Sequence, residues 1–178
     1  MIGNSLESCE KRTYCVFAPT YLNKEIEVGS EEIYNCIKVN EEIFTAGQPT
    51  AEQLLSLVGE GFVTVINLAT YDPDYSLADE EGLVRSLDII YHHIPVDWDA
   101  PQENDYYEFE RLMVQLPEGK TLIHCAANYR VTAFYGLYAQ KHLGWSAAQA
   151  DEFRAQIWTG GNYPVWEKYV REMRQHNC

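Results

Sequence analysis

From about residue 37 onward, the hydrophobic residues alternate between the pattern of buried strands and the spacing of helices. Residues 62–68 are β-branched and continuously apolar, as in a strand buried on both faces. Residues 104–116 place their apolar side chains at helical spacing, and residues 131–143 are apolar nearly all round, which is typical of a central helix. Strands that alternate with helices predict an α/β fold with a mainly parallel central sheet of four to five strands flanked by helices.

The same patterns predict the remaining elements. Strands are expected near residues 37–44, 89–96 and 121–124, and helices at 50–59, 77–87, 146–157 and 163–176. Residues 1–38 are polar and charged without a clear period, so we interpret them as an N-terminal extension. Residues 39–178 then form one α/β domain, a normal size for a single core.

The net charge of the chain limits the kinds of molecule that it is expected to bind. The chain has 27 acidic and 13 basic side chains, a net charge of −14, and no basic cluster. Nucleic acid and anionic lipid are bound through Lys and Arg, so we expect binding to neither nucleic acid nor membrane. No apolar run approaches the ~20 residues that cross a bilayer, and no secretory signal precedes the domain. We therefore expect a cytoplasmic protein.

Cysteine and histidine spacing gives no sign of a metal or a disulfide framework. The odd number and irregular spacing of the cysteines argue for reduced thiols, although Cys9 and Cys15 could pair. The histidines do not match a metal site, so we predict neither metal nor cofactor. The five cysteines are Cys9, Cys15, Cys36, Cys125 and Cys178.

The segment from Cys125 to Arg130 is the strongest candidate for chemistry. It joins a predicted strand to the apolar helix, the position where open α/β sheets bind ligands. Backbone amides of such a loop, with the helix N-terminus, can cradle an oxyanion and favour the thiolate form of Cys125. A buried structural cysteine is the alternative, but Arg130 at a buried helix start requires an anionic partner.

Several ordered motifs resemble a known superfamily. His124-Cys125, a short loop, Arg130 and a buried helix resemble the cysteine-dependent protein tyrosine and dual-specificity phosphatases. Gly-Gln-Pro-Thr at 47–50, Val-Ile-Asn-Leu at 65–68 and Ile-Pro-Val at 94–96 resemble, more closely, a bacterial phosphatase-like family found fused to or beside β-lactamase-like hydrolases. The resemblance covers about residues 39–178 and implies a fold of the cysteine-phosphatase type.

The resemblance also assigns roles to residues of the loop. Cys125 would be the nucleophile, and Arg130 would bind phosphate together with the four residues before it. The loop is one residue shorter than the phosphatase signature, and Asn128 replaces its glycine; Asn tolerates the left-handed backbone better than most residues. The implied phosphate-binding residues are Ala126, Ala127, Asn128, Tyr129 and Arg130, and the supporting residues are His124 and Thr132.

The general acid is less clearly marked. Related phosphatases carry their aspartate at the position of Trp98, which lies here between Asp97 and Asp99. Either carboxylate could protonate the leaving oxygen, with Asp97 favoured because it directly follows the strand. The alternative is that both are surface carboxylates of a loop.

Three functions follow from these observations. The resemblance implies metal-independent hydrolysis of phosphate monoesters through a phosphocysteine, acting on a phosphorylated small molecule or a phosphoprotein. A sulfurtransferase of the rhodanese kind is favoured by the loop length, because its loop also has four residues between Cys and Arg. A non-catalytic phosphate-binding module is the third.

Overall fold

The computed structural model describes residues 29–176, which form five strands and six helices. The strands are β1 (Ile37–Lys38), β2 (Ile43–Ala46), β3 (Phe62–Asn67), β4 (Ile90–His93) and β5 (Lys120–His124). The helices are α1 (Ala51–Glu60), α2 (Glu80–Ser86), α3 (Glu103–Val114), α4 (Tyr129–His142), α5 (Ala147–Ala155) and α6 (Pro164–His176).

The strands form one sheet in the order β1-β2-β5-β3-β4. Neighbouring strands are parallel except β1, which pairs antiparallel with β2 at one edge. This arrangement confirms the predicted α/β fold with a mainly parallel sheet. The carboxyl ends of β2, β3, β4 and β5 therefore lie along one edge of the sheet.

Two hydrophobic cores cover the two faces of the sheet. Successive residues of β3 and β5 point to opposite faces, so Val65 and Leu122 pack in one core while Ile66 and Ile123 pack in the other. All four side chains are fully buried. Burial on both faces is the physical reason that these strands are continuously apolar.

Local sequence determines where the helices begin. Thr50 caps α1: its hydroxyl accepts a hydrogen bond from the Gln53 N–H, and the Gln53 side chain accepts one in return from the Thr50 N–H. Helix α2 begins at Glu80 rather than 77, because the Asp79 carboxylate accepts from the Gly82 N–H and caps it there. Helix α4 is buried along most of its length, as its composition predicts.

The segment before β1 packs against the domain. Ile33 is buried in the core, and the Ser30 N–H donates to the Glu60 carboxylate at 2.8 Å. Residues 1–28 of the predicted extension, with Cys9 and Cys15, lie outside the described residues, as does Cys178. A domain boundary at residue 38 stays a prediction. Within the described part of the chain, every helix is too short or too polar to cross a bilayer.

Candidate active site

Cys125 directly follows β5 at the carboxyl edge of the sheet. Its backbone N–H donates to the carbonyl of Ala46, the last residue of β2, at 3.2 Å. The residue is 1% exposed and contacts the core on the side of α4. The cysteine therefore occupies the floor of the loop that it begins, fixed between two parallel strands.

Asn128 turns the loop into α4. Its backbone is left-handed, with φ of +67°, as the glycine position of the phosphatase signature requires. Its side-chain amide donates to the carbonyl of Asn35 at 2.7 Å and to the Thr45 hydroxyl at 3.1 Å. The expected tolerance of Asn at this turn is confirmed, and the side chain adds contacts that glycine lacks.

Two distant segments hold the loop from outside. The Asn35 side chain donates to the Ala127 carbonyl at 3.0 Å, and the Gly47 N–H donates to the Tyr34 carbonyl at 2.7 Å. A Cβ at Gly47 would lie 2.9 Å from that Tyr34 oxygen and 3.0 Å from the Ala126 carbonyl oxygen. Glycine opens the Gly-Gln-Pro-Thr motif because three backbone segments meet there.

Arg130 is a buried cation that pairs with no carboxylate in the described part of the chain. It is 5% exposed, and its guanidinium donates one long hydrogen bond of 3.5 Å to the Thr70 hydroxyl. Its Cζ lies 5.7 Å from the centre of the Trp98 ring, and its Nε has no hydrogen-bond partner. Among the described residues no carboxylate forms an ion pair with it. A buried charge in this state favours binding of an anion.

A pocket of about 490 Å³ lies at Arg130. It brings together six of the residues that the sequence singles out, from the loop and from the segment after β4. The others (Cys125, His124, Asn128 and Thr132) are buried and do not line it. The wall is completed by Trp98 and by four residues to which the sequence did not point, Thr70, Asp72, Tyr75 and Tyr163. The six predicted residues in the wall are Asp97, Asp99, Ala126, Ala127, Tyr129 and Arg130.

The loop after β4 is anchored by its tryptophan. Trp98 stacks on Trp166 of α6 at 5.2 Å between ring centres, and its carbonyl accepts from the Trp166 indole N–H at 2.8 Å. Asp97 and Asp99 on either side are exposed and reach the pocket. The Asp97 carboxylate accepts from the Asp99 N–H at 2.9 Å, which stabilises the turn. Trp98 therefore anchors the loop where related phosphatases carry the acid.

Thr132 links the loop to a second aromatic wall. Its hydroxyl donates to the carbonyl of Asn128 at 2.9 Å and accepts from the Trp158 indole N–H at 3.0 Å. Trp158 in turn stacks on Tyr129 at 5.5 Å between ring centres. Trp158 and Trp166 are buried, so both rings contribute to packing.

A polar network lies behind the loop. The Glu80 carboxylate, 6% exposed, accepts from His124 Nε2 at 2.9 Å, the Tyr91 hydroxyl at 2.9 Å and the Asn67 amide at 3.0 Å. The Gln48 amide donates to its second oxygen. Burial alone would raise the pKa of Glu80, but the charge and hydrogen bond of His124, with the bonds from Gln48 and Tyr91, outweigh it and lower the pKa to about 2.

The network explains two of the sequence motifs. Gln48 of Gly-Gln-Pro-Thr and Asn67 of Val-Ile-Asn-Leu are amide donors to the same carboxylate. His124 Nε2 bonds Glu80, and its Nδ1 has no hydrogen-bond partner among the described residues. A polar Asn67 inside an apolar strand was the available signal for a buried partner, but nothing local marked Glu80.

Comparison with known proteins shows which family this chain belongs to. No family model matches it. A candidate phosphatase of the DUF442 family from Shewanella putrefaciens CN-32 has a similar structure, with 30% identity, a TM-score of 0.72 and coverage of 83% of this chain and 95% of that one. The chain belongs to the DUF442 family of candidate phosphatases.

Other proteins are similar at lower identity. P. aeruginosa TpbA, in complex with pTyr, is 18% identical with a TM-score of 0.64, covering 80% of this chain and 90% of that one. Two curated β-lactamase hydrolase-like proteins from Xylella fastidiosa strains Temecula1 and 9a5c are 27% identical over 104 residues, which is 57% of this chain. The match covers 24% of the length of those curated relatives.

Proposed function

We propose that this protein hydrolyses phosphate monoesters through a phosphocysteine on Cys125, without a metal. The observation that carries the proposal is the buried, unpaired Arg130 in a pocket that opens directly after Cys125. Helix α4 starts there without a side-chain cap, so the N–H groups of its first turn remain available to phosphate oxygens.

The proposed reaction has two steps. The Cys125 thiolate attacks phosphorus, so that an S–P bond forms and the bond from phosphorus to the ester oxygen breaks, while Asp97 or Asp99 gives its proton to that oxygen. Water then attacks the phosphocysteine, the same carboxylate takes a proton from the water, and the S–P bond breaks. The products are the alcohol, inorganic phosphate and the restored thiolate.

Arg130 and the loop supply electrostatic stabilisation. The planar guanidinium can bind two equatorial oxygens at once, and the N–H groups of residues 126–130 surround the same phosphoryl group. The substrate would be a phosphorylated small molecule or a phosphoprotein. A superfamily relative that binds pTyr, TpbA, supports phosphorylated substrates in general.

Sulfur transfer is the second candidate, because the loop has four residues between Cys125 and Arg130. In that reaction the Cys125 thiolate would take the outer sulfur of thiosulfate as a persulfide and release sulfite. Cyanide would then remove the sulfur as thiocyanate, and no general acid would be needed. The similarity to the Shewanella protein favours the phosphatase.

Parallel assays separate these functions. We expect hydrolysis of p-nitrophenyl phosphate that Cys125→Ser lowers by at least about 10⁴-fold, and no conversion of thiosulfate and cyanide to thiocyanate. Thiocyanate formation without phosphate release would identify a sulfurtransferase. Phosphate binding without either reaction would identify a non-catalytic module.

A further inference from the structure

Carboxylates surround the pocket that holds Arg130. Asp72 from the segment after β3 lines it, together with Asp97 and Asp99. Among the described residues of its wall, Arg130 is the one cation. The net charge of −14 adds to the negative field at the entrance. Such a wall repels any substrate group that is itself anionic, except the phosphoryl group held by Arg130.

Aromatic rings complete the wall. Tyr163 packs edge-on against Trp98 at 5.3 Å and against Tyr129 at 5.7 Å between ring centres, and Tyr75 also lines the pocket. Aromatic faces attract ammonium groups, and rings combined with carboxylates are a common way to bind a quaternary amine. The wall therefore offers two independent kinds of attraction for a cation.

We infer that the leaving group of the substrate is cationic, and specifically that the pocket accepts the phosphate monoester of a small amino alcohol. The inference rests on the proposed function and adds its substrate class. Arg130 and the loop would hold the phosphate, while Asp72 and the tyrosines would hold the ammonium group. A pocket of about 490 Å³ is of the size that encloses a small molecule.

A pair of isosteric substrates tests the inference. Phosphocholine and 3,3-dimethylbutyl phosphate have the same shape, but a carbon atom replaces the charged nitrogen in the second. We expect kcat/KM of the full chain to be at least about tenfold higher for phosphocholine. Titration calorimetry on Cys125→Ser should show the same preference in affinity, without any need for turnover.

Asp72→Asn tests the role of the wall. Its carboxylate accepts from the Asp74 N–H at 2.9 Å, and asparagine keeps that acceptor while it removes the charge. We expect the preference for phosphocholine over 3,3-dimethylbutyl phosphate to fall about threefold. Asp74→Asn is the matched control, because Asp74 is exposed and does not line the pocket.

The outcomes distinguish this inference from the proposed function. Equal kcat/KM for the two esters, with p-nitrophenyl phosphate hydrolysed, would overturn the inference and leave the phosphatase in place. Preferential binding of phosphocholine without hydrolysis of any ester would support the inference and overturn the proposed function. Much higher kcat/KM for a phosphopeptide with basic flanking residues would also overturn the small amino alcohol as the substrate class.

Discussion

Glu80 and Arg130 are two buried charges at the same edge of the sheet, and they differ in their partners. Glu80 is 6% exposed and accepts hydrogen bonds from four side chains. Arg130 is 5% exposed, makes one long hydrogen bond to Thr70, and has an Nε without a partner.

This difference distinguishes a buried charge that stabilises the fold from a buried charge that can bind a ligand. A buried charge with saturated hydrogen bonds stabilises the fold and offers nothing further to a ligand. A buried charge that lacks partners stays costly until an anion binds to it. The Glu80 network therefore supports the loop from behind, while Arg130 faces the pocket where chemistry would take place.

Among variants that keep Cys125, the largest effect is expected at the general acid of the pocket. Replacing the true acid, by Asp97→Asn or Asp99→Asn, should lower kcat for an alkyl phosphate by about 10²–10⁴-fold, because the alkoxide leaves poorly without a proton. The loss should shrink for p-nitrophenyl phosphate, whose leaving group needs little help. Steady-state kinetics of both variants on both esters measures this. Full activity of both variants on both esters would refute the general-acid assignment.

For the Glu80 network, we expect an effect on the free energy of unfolding. The pKa of Glu80 lies near 2 in the folded protein and at an ordinary 4.5 without its partners, so its contribution is complete above pH ~4.5 and is lost as the pH falls toward 2. Glu80→Gln should lower the free energy of unfolding at pH 7 by about 3 kcal/mol and weaken this acid dependence.

Urea unfolding at pH 7, 5 and 3 measures that prediction. Glu81→Gln is the control, because the neighbouring Glu81 is exposed and pairs with Arg85 at the surface, where a pair contributes at most about 1 kcal/mol. If Glu80→Gln and Glu81→Gln had the same free energy of unfolding at pH 7, 5 and 3, the Glu80 network would not stabilise the fold.

Anions should stabilise the protein through Arg130. Sulfate or vanadate at about 100 times its Kd should add about 2.7 kcal/mol to the free energy of unfolding and raise Tm by several degrees. Arg130→Lys should remove most of this shift, since lysine lacks the planar fork. Arg154→Lys is the matched control, because Arg154 is 8% exposed but pairs with Asp151 and Glu167. Equal shifts in both variants would contradict the anion site.

The smallest effect is expected at Asn35, which joins the Cys125 loop to the segment before β1. Asn35→Gly keeps the left-handed backbone, with φ of +53°, and removes the hydrogen bond to the Ala127 carbonyl. The free energy of unfolding should fall by about 1 kcal/mol, with a several-fold lower kcat. Chemical unfolding and steady-state kinetics measure these two quantities. If neither the free energy of unfolding nor kcat changed, the segment before β1 would not support the loop.

Much of the fold could be predicted, because its signals are local. The apolar run of β3, the Thr50 cap and the tolerance of Asn128 for a left-handed backbone each depend on a few neighbouring residues. The position of Cys125 between a strand and a helix followed from the same kind of pattern.

The rest of the site depends on contacts between distant segments. Asn35 lies 93 residues from Asn128, and Glu80 lies 44 residues from His124. Neither residue has a neighbour that marks its partner, since Glu80 looks like an ordinary acidic residue at a helix start. Asp72 on the pocket wall is missed for the same reason: only the folded sheet edge brings it near Arg130.

The most direct measurement of the central claim is rapid acid quench of the wild-type protein with p-nitrophenyl phosphate, followed by mass spectrometry of the peptide that contains Cys125. The account predicts that this peptide gains the mass of one phosphoryl group during turnover, and that Cys125→Ser shows neither the modified peptide nor turnover. Phosphate release with an unmodified Cys125 peptide, or release that persists in Cys125→Ser, would contradict it.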